Sequence, residues 1–411
     1  MKSLSSLLLA LALPAAAEMV GPWNLDALKQ VPEMRWIQRD QPVHALFYRG
    51  EEYQGKATEV FAFYASPATL GEAAPGQKFP GVVLIHGGGG TAFADWAWLW
   101  AKRGYAAIAM DLGGHRPPDP TYDPKTGAPK GHQSDAKQRT RLENGGPNQG
   151  HGEKFDSIGG SHLDDWPYHA AANVIRAHSL LRSMAEVDAE RTAVTGISWG
   201  GYTTCLVASL DDRFKAAVPV YGCGFLHEGE SVQKPSIDKL GARAADWVRD
   251  YDPGSLLPRC RVPIFFVNGT NDVHYVLDSY QKSFDVVNGE KQMRIEVKMG
   301  HSHPAGWAPQ EIGLFIDAKC RGGEALPVPG VPVRDGQRVR VAFTSVRPVK
   351  RAQLHYTTEG GLRSKRTWQS VEAEVGDGVV RAPAPPAGAN TWIVSLTDDR
   401  GAMVTTPVQF Q

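Results

Sequence analysis

A surplus of charge of either sign is what this chain lacks first: 44 Lys and Arg offset 44 Asp and Glu, for a formal net charge of zero. Without a global field it has no electrostatic means of gathering nucleic acid or an anionic surface, both of which need clustered cations. The expected partner is small or uncharged. Long apolar runs are missing too, apart from Leu7 to Ala17, which is too short to span a bilayer. Following Met1-Lys2 and ending in small residues, that run reads as a secretory signal peptide over 1–17, cut after Ala17. An exported protein is expected, periplasmic or extracellular in a bacterial source, with no integral membrane association. Cysteine is scarce, at four in 411 residues, and none of the four has a neighbouring base that would make it a nucleophile.

The chain has strands alternating with helices. Apolar strand-like stretches at 59–64, 82–85 and 105–110, a helix-like stretch over 93–102 and a long one from Asp165 to Met184 predict a parallel sheet covered on both faces. Within that pattern, Arg191-Thr-Ala-Val-Thr-Gly-Ile-Ser-Trp-Gly-Gly-Tyr sets Ser198 between Gly196 and Gly200, after a β-branched strand and before an apolar helix. A serine there sits on a sharp strand-to-helix turn, where only small flanking residues let the backbones cross. A serine hydroxyl is a weak nucleophile and needs a base, which in turn needs an orienting carboxylate.

Both partners can be found downstream. Val262-Pro-Ile-Phe-Phe-Val-Asn-Gly-Thr-Asn-Asp is a buried strand running into a polar turn, which leaves Asp272 at its carboxyl end. Arg294 to Met299 alternates like a strand and stops at Gly300-His301-Ser302-His303-Pro304, ahead of a helix-like stretch over 309–319. His301 is the first choice for the base, because it directly follows the strand-end glycine. His303 is the second choice, since the following proline biases it toward an extended backbone. Upstream, Pro80-Gly-Val-Val-Leu-Ile-His-Gly-Gly-Gly-Gly ends a buried strand in His86 and Gly87 to Gly90. Glycines there let backbone N–H groups approach an oxyanion, and Gly88 or Gly89 with the N–H of Trp199 are the expected donors. A phosphate cradle is the rival for any such loop, but no Lys-Ser/Thr follows and no G-x-G-x-x-G opens a helix. His86 is expected to shape the loop rather than carry protons.

His86-Gly-Gly-Gly-Gly, Gly196-Ile-Ser-Trp-Gly, Asn268-Gly-Thr-Asn-Asp272 and Gly300-His301 together resemble the α/β-hydrolase superfamily. Val187-Asp-Ala-Glu-Arg-Thr-Ala-Val-Thr-Gly-Ile-Ser and Asp212-Arg-Phe-Lys-Ala-Ala-Val are similar to its branch of acetylxylan esterases, dienelactone-hydrolase-like proteins and prolyl-oligopeptidase-type domains. The resemblance implies an α/β-hydrolase fold over 18–322 and a Ser198-His301-Asp272 triad. No cofactor or metal is implied.

The rest of the chain departs from one minimal domain. Residues 113–164 break into Pro, Gly, Asp, Lys and four histidines, His115, His132, His151 and His162. An insertion of roughly 50 residues is far beyond ordinary loop lengths, and it is expected to overhang Ser198 as a lid or specificity loop. The histidine spacing fits no metal-ligand pattern. A Pro-rich linker over 323–333 leads to an expected antiparallel β-sandwich over 334–411, where Tyr356, Trp368 and Trp392 are expected to form the core. Export makes disulfides possible, and Cys260 with Cys320 is the expected pair; Cys205 and Cys223 could bridge or stay as buried thiols.

These readings converge on an exported serine hydrolase of carboxylic esters, acting on a small-molecule or polysaccharide ester and, by resemblance, of acetylxylan-esterase type. Two alternatives stand beside it. A small exopeptidase or amidase would need an acidic clamp for the substrate amine, for which Glu51 and Glu52 are conceivable. A hydrolase-shaped binding protein would work through its β-domain and not through Ser198.

Overall fold

The computed structural model describes residues 17–130 and 138–411, so the signal-peptide reading, but for Ala17, and His132 lie outside the described residues. Among the described residues, nine strands build the central sheet: β1 (Met34–Gln38), β2 (His44–Arg49), β3 (Glu59–Ala65), β4 (Phe79–Ile85), β5 (Ala106–Met110), β6 (Val187–Ile197), β7 (Ala216–Val220), β8 (Ile264–Gly269) and β9 (Lys291–Glu296). Their spatial order is β1-β2-β3-β5-β4-β6-β7-β8-β9. Pairings up to β3–β5 are antiparallel, and those from β5 onward are parallel. The parallel strands are apolar runs because both faces are covered, and β4, β5, β7 and β8 are buried over their full length.

Order reversal around β4 creates the switch point where ligands of such sheets bind. Register pairs Ile85 of β4 with Gly196 of β6, so the glycine loop after one strand and Ser198 after the other emerge side by side. The covering helices are α1 (Ala94–Lys102), α2 (Trp166–Ser183), α3 (Trp199–Leu210), α4 (Leu277–Val286) and α5 (Gln310–Cys320). Helix α2 has Pro167 in its first turn, where no intrahelical N–H is lost, and buries Trp166, whose Nε1 donates to the Leu112 carbonyl at 2.7 Å.

The C-terminal strands are β10 (Arg338–Thr344), β11 (Val349–Thr357), β12 (Gln369–Gly376), β13 (Val379–Pro383), β14 (Thr391–Asp398) and β15 (Met403–Thr405). They form two antiparallel layers that share β12, which pairs with β11 in one and β13 in the other. Trp368 and Trp392 are buried in the core as expected, whereas Tyr356 is only half-buried against it. Two features differ from the beads-on-a-linker expectation. Val328–Pro329 of the expected linker is itself a strand paired with β10. Strand β15 pairs with β9 of the central sheet, Thr405 opposite Met293, so the sandwich is joined to the edge of the central sheet.

The expected Cys260–Cys320 disulfide is not formed, and all four cysteines are buried free thiols. Cys260 Sγ points at the Ala208 carbonyl of α3 at 3.4 Å, whereas Cys320 ends α5. The two thiols accompany different helices.

Candidate active site

Ser198 is the N-cap of α3 and has φ 59° and ψ −115°, a conformation costly for a residue with a Cβ. The flanking glycines make it attainable. A Cβ on Gly200 would drive into the Ile85 and His86 carbonyl oxygens, and one on Gly196 into the Gly200 carbonyl. The strand-to-helix turn therefore exists because three successive backbones touch where only hydrogen fits.

Asp272 and His301 meet at the ends of β8 and β9. Asp272 is buried; its Oδ1 accepts the N–H groups of His274 and Tyr275 at 2.7 and 2.9 Å, and its Oδ2 lies 2.6 Å from His301 Nδ1. With the carboxylate accepting, His301 carries its proton on Nδ1, which leaves Nε2 as the basic nitrogen. The imidazole is wedged by rings: Tyr221 stacks on it at 4.3 Å, His274 lies tilted against it at 4.7 Å, and Tyr275 lies parallel at 6.4 Å. Tyr221 also donates its hydroxyl to the Gly300 carbonyl at 2.6 Å, fixing the residue before His301. Ser198 borders this cluster through its backbone: its N–H donates to the carbonyl of Val220, next to Tyr221, at 2.8 Å.

His303 has a different place. Its Nε2 accepts the N–H of Gly87 at 2.9 Å, its ring packs on Phe93 at 4.7 Å, and burial pushes it down to about 3, with smaller contributions from His86 and His301. A neutral ring is what that acceptor role requires. His301, not His303, stands beside Asp272.

The glycine loop is held from outside. His86 Nε2 accepts the Leu112 N–H at 2.9 Å, so its Nδ1 is the donor to the Gly87 carbonyl at 2.7 Å, and burial lowers its pKa. Arg139, from the insertion, donates to the Gly90 carbonyl. Gly89 takes φ 71°, with open space on its Cβ side. The N–H groups of Gly88, Gly89 and Trp199 have no hydrogen-bond partner among the described residues. Gly88 touches the Trp199 ring, so the loop and the first turn of α3 meet there.

The far end of the insertion packs on this same tryptophan. Phe155 lies 6.1 Å from the Trp199 ring, and the Lys154 ammonium sits 5.1 Å above it while donating to the Gln149 and Gly150 carbonyls at 3.0 and 2.5 Å. Burial pushes Lys154 down to about 8. Of the insertion histidines, His162 Nδ1 lies 3.0 Å from the Tyr251 hydroxyl and His151 Nε2 lies 3.2 Å from Ser236 Oγ. No group of three metal-ligating side chains occurs among the described residues.

Sequence reasoning did not find the jobs of His303, Tyr221, Tyr275 or Arg139. The Gly-His step and the strand ends were local signals, whereas His303 meets Gly87, Tyr221 meets Gly300 and Arg139 meets Gly90 across the fold.

A sequence model of the prolyl oligopeptidase family matches residues 144–311, from the second half of the insertion into α5. Among solved structures, an acetyl xylan esterase from Paenibacillus sp. R4 is similar, at 20% identity and TM-score 0.54 over 72% of this chain and 92% of that one. The chain has an α/β-hydrolase fold. Acetyl xylan esterase 1 from Thermoanaerobacterium sp. JW/SL YS485 is similar at 15% identity and TM-score 0.49, over 73% of this chain and 95% of that one. An acylaminoacyl peptidase from Pyrococcus horikoshii is similar at 18% identity and TM-score 0.49, over 69% of this chain and 42% of that one. No curated protein matches the chain. No described helix of the chain is long and apolar enough to cross a membrane.

Proposed function

We propose that this protein cleaves carboxylic esters with Ser198 as nucleophile, His301 as base and Asp272 as its orienting acid. The observation that carries the reading is the 2.6 Å bond from His301 Nδ1 to a buried carboxylate, beside a serine held at positive φ whose N–H bonds to Val220, the neighbour of the Tyr221 that stacks on His301. His301 Nε2 takes the Ser198 proton as Oγ attacks the ester carbonyl carbon. Oxygen charge develops in the tetrahedral intermediate and is met by the unpaired N–H groups of Trp199 and of Gly88 or Gly89. His301 then gives its proton to the departing alkoxide as the C–O bond breaks. Water, deprotonated by the same nitrogen, attacks the acyl-enzyme, and the acid leaves with Ser198 reprotonated.

For substrate, we infer an acetyl ester of a polysaccharide or a similar polar molecule, in an exported, periplasmic or extracellular setting. Support comes from the polar insertion beside the elbow, the appended β-sandwich, the signal-peptide pattern of residues 1–17 and the likeness in fold to an acetyl xylan esterase. The match to the prolyl oligopeptidase family favours a second reading, an exopeptidase or amidase. That chemistry needs an acid free to bind an amine, yet Glu51 is engaged by Arg176 and by the Tyr168 hydroxyl at 2.8 Å. Rates on p-nitrophenyl acetate, acetylated xylan and aminoacyl anilides test the choice. Ester turnover with loss of activity in Ser198→Ala is expected; anilide turnover without ester turnover would overturn the esterase reading.

A further inference from the structure

We propose that the C-terminal sandwich positions the acid of the active site, and that Asn271 is the positioning residue through which it does so. The inference rests on the triad reading above. Asp272 and His301 stand on two separate turns, at 270–275 and 297–303, and a Nδ1–Oδ2 bond of 2.6 Å survives only if both turns are held in common register. Within the central domain, Asp272 anchors its own turn by accepting two backbone N–H groups. Its neighbour Asn271 points the other way. Asn271 Nδ2 donates to the carbonyls of Ser364 and Arg366, at 3.0 and 2.8 Å, both in the sandwich.

The line of hydrogen bonds continues into the second turn. Asn271 Oδ1 accepts from Thr270 Oγ1 at 2.7 Å, and that hydroxyl oxygen accepts the N–H of Lys298 at 3.0 Å. Lys298 has φ 60° and stands three residues before His301. One side chain of the acid turn thus links the sandwich, the acid and the strand end that carries the base. A carbonyl pair is a suitable clamp because two acceptors use both amide hydrogens of Asn271 and fix the plane of its side chain.

The segment that supplies those carbonyls is itself fixed on both sides. Arg366 bonds to the Gly361 carbonyl, Asn390 Oδ1 and Thr391 Oγ1 within the sandwich. Arg363 donates its N–H to Glu230 at 2.8 Å, and its guanidinium lies 3.4 Å from Glu230 and 3.5 Å from Asp278 of α4. Elsewhere, Val408 N donates to Gln281 Oε1 of α4 at 2.6 Å and Met403 N to Glu311 Oε1 of α5 at 2.7 Å. With the β9–β15 pairing, these bonds leave the sandwich no hinge about the acid turn.

The test uses the full-length protein and p-nitrophenyl acetate. Asn271→Ala is expected to lower kcat roughly ten- to a hundredfold, as misplacement of a catalytic group does, with KM changed less than twofold. The acid limb of its pH profile should move to lower pH, because an imidazole less well coupled to Asp272 binds its proton more weakly. Purely structural glue would lower Tm and leave that limb in place. Thr270→Ser should keep wild-type kcat, whereas Thr270→Val should lose it in the same manner as Asn271→Ala. Arg363→Ala, which loosens the clamp without touching the turn, should give a smaller loss, and Arg351→Ala, in an exposed pair with Glu372 of the same sandwich, none. If Asn271→Ala does not fold, the Thr270 pair and Arg363→Ala decide. Wild-type kcat and pH profile in Asn271→Ala, with activity abolished in Asp272→Ala, would overturn the proposal and leave the triad standing. Full activity in Asp272→Ala would overturn the triad reading itself.

Discussion

The two turns that flank Ser198 are built on opposite plans. In the acid turn the carboxylate and the neighbouring amide are fully engaged: Asp272 accepts from two backbone N–H groups and His301, and Asn271 bonds on both of its amide atoms. In the glycine loop, the N–H groups of Gly88 and Gly89 are left without partners, while His86, His303 and Arg139 hold the loop by Gly87 and Gly90. A group that must orient another side chain gains from being fully bonded. A donor that must meet a transient oxyanion has to be kept empty, so its rigidity comes from neighbours. Burial of those neighbours keeps their imidazoles neutral, which is the state able to accept the Gly87 and Leu112 N–H groups.

The contrast is broken most strongly at its centre. In the proposed mechanism Ser198→Ala removes the nucleophile, and kcat on an ester is expected to fall roughly 10⁴- to 10⁶-fold, with residual turnover from the proposed oxyanion donors alone. Asp272→Asn on the engaged side is expected to cost about 10⁴ in kcat, because an amide can hold the wrong imidazole tautomer. Steady-state kinetics on both variants check this, and a loss below tenfold in either would contradict the division of roles.

On the empty side, His303→Phe keeps the contact with Phe93 and removes only the acceptor for Gly87 N–H. A kcat loss of roughly ten- to a hundredfold with little change in KM is expected, since it displaces donors that act in the transition state. An unchanged kcat would show that the loop needs no outside support.

Acid should sharpen the same contrast through stability. His303 is pushed down to about 3, and His178 and His355 to about 4, from an unfolded value near 6.5. Folded, these rings bind fewer protons than they do unfolded, so stability is intact above about pH 6.5 and declines as pH falls from there toward 4 and 3. Tm measured from pH 7 to 4 should fall steadily, and His303→Phe should flatten part of the slope. A flat wild-type profile would contradict burial of neutral rings. The smallest effect is expected from Tyr221→Phe, which keeps the stack on His301 and loses the bond to Gly300; a kcat loss of about two- to tenfold is anticipated from one hydrogen bond of roughly 1 kcal/mol.

Much of the fold was legible because its signals are local. Strand β4 is a continuous apolar run, Gly196 and Gly200 bracket Ser198, and Asp272 and His301 stand just beyond strand ends. Other parts were not. Cys260 and Cys320 looked pairable from their positions in the chain, yet Cys260 Sγ points at the Ala208 carbonyl of α3 and both thiols are free. Strand β15 is three residues long, too short for a periodicity to reveal, and its pairing with β9 depends on where the sandwich docks. Nothing adjacent to His303 announces that it serves Gly87, 216 residues away.

By itself the sequence determined which chemical groups lie at the carboxyl ends of a parallel sheet, since strand, turn and glycine patterns act over a few residues. Tertiary structure alone decided which histidine faces the carboxylate, which N–H groups stay unpaired, and that the sandwich grips the acid turn. Those outcomes depend on hydrogen bonds between 2.6 and 3.0 Å long, and positions to that tolerance are set by packing between elements distant in the chain.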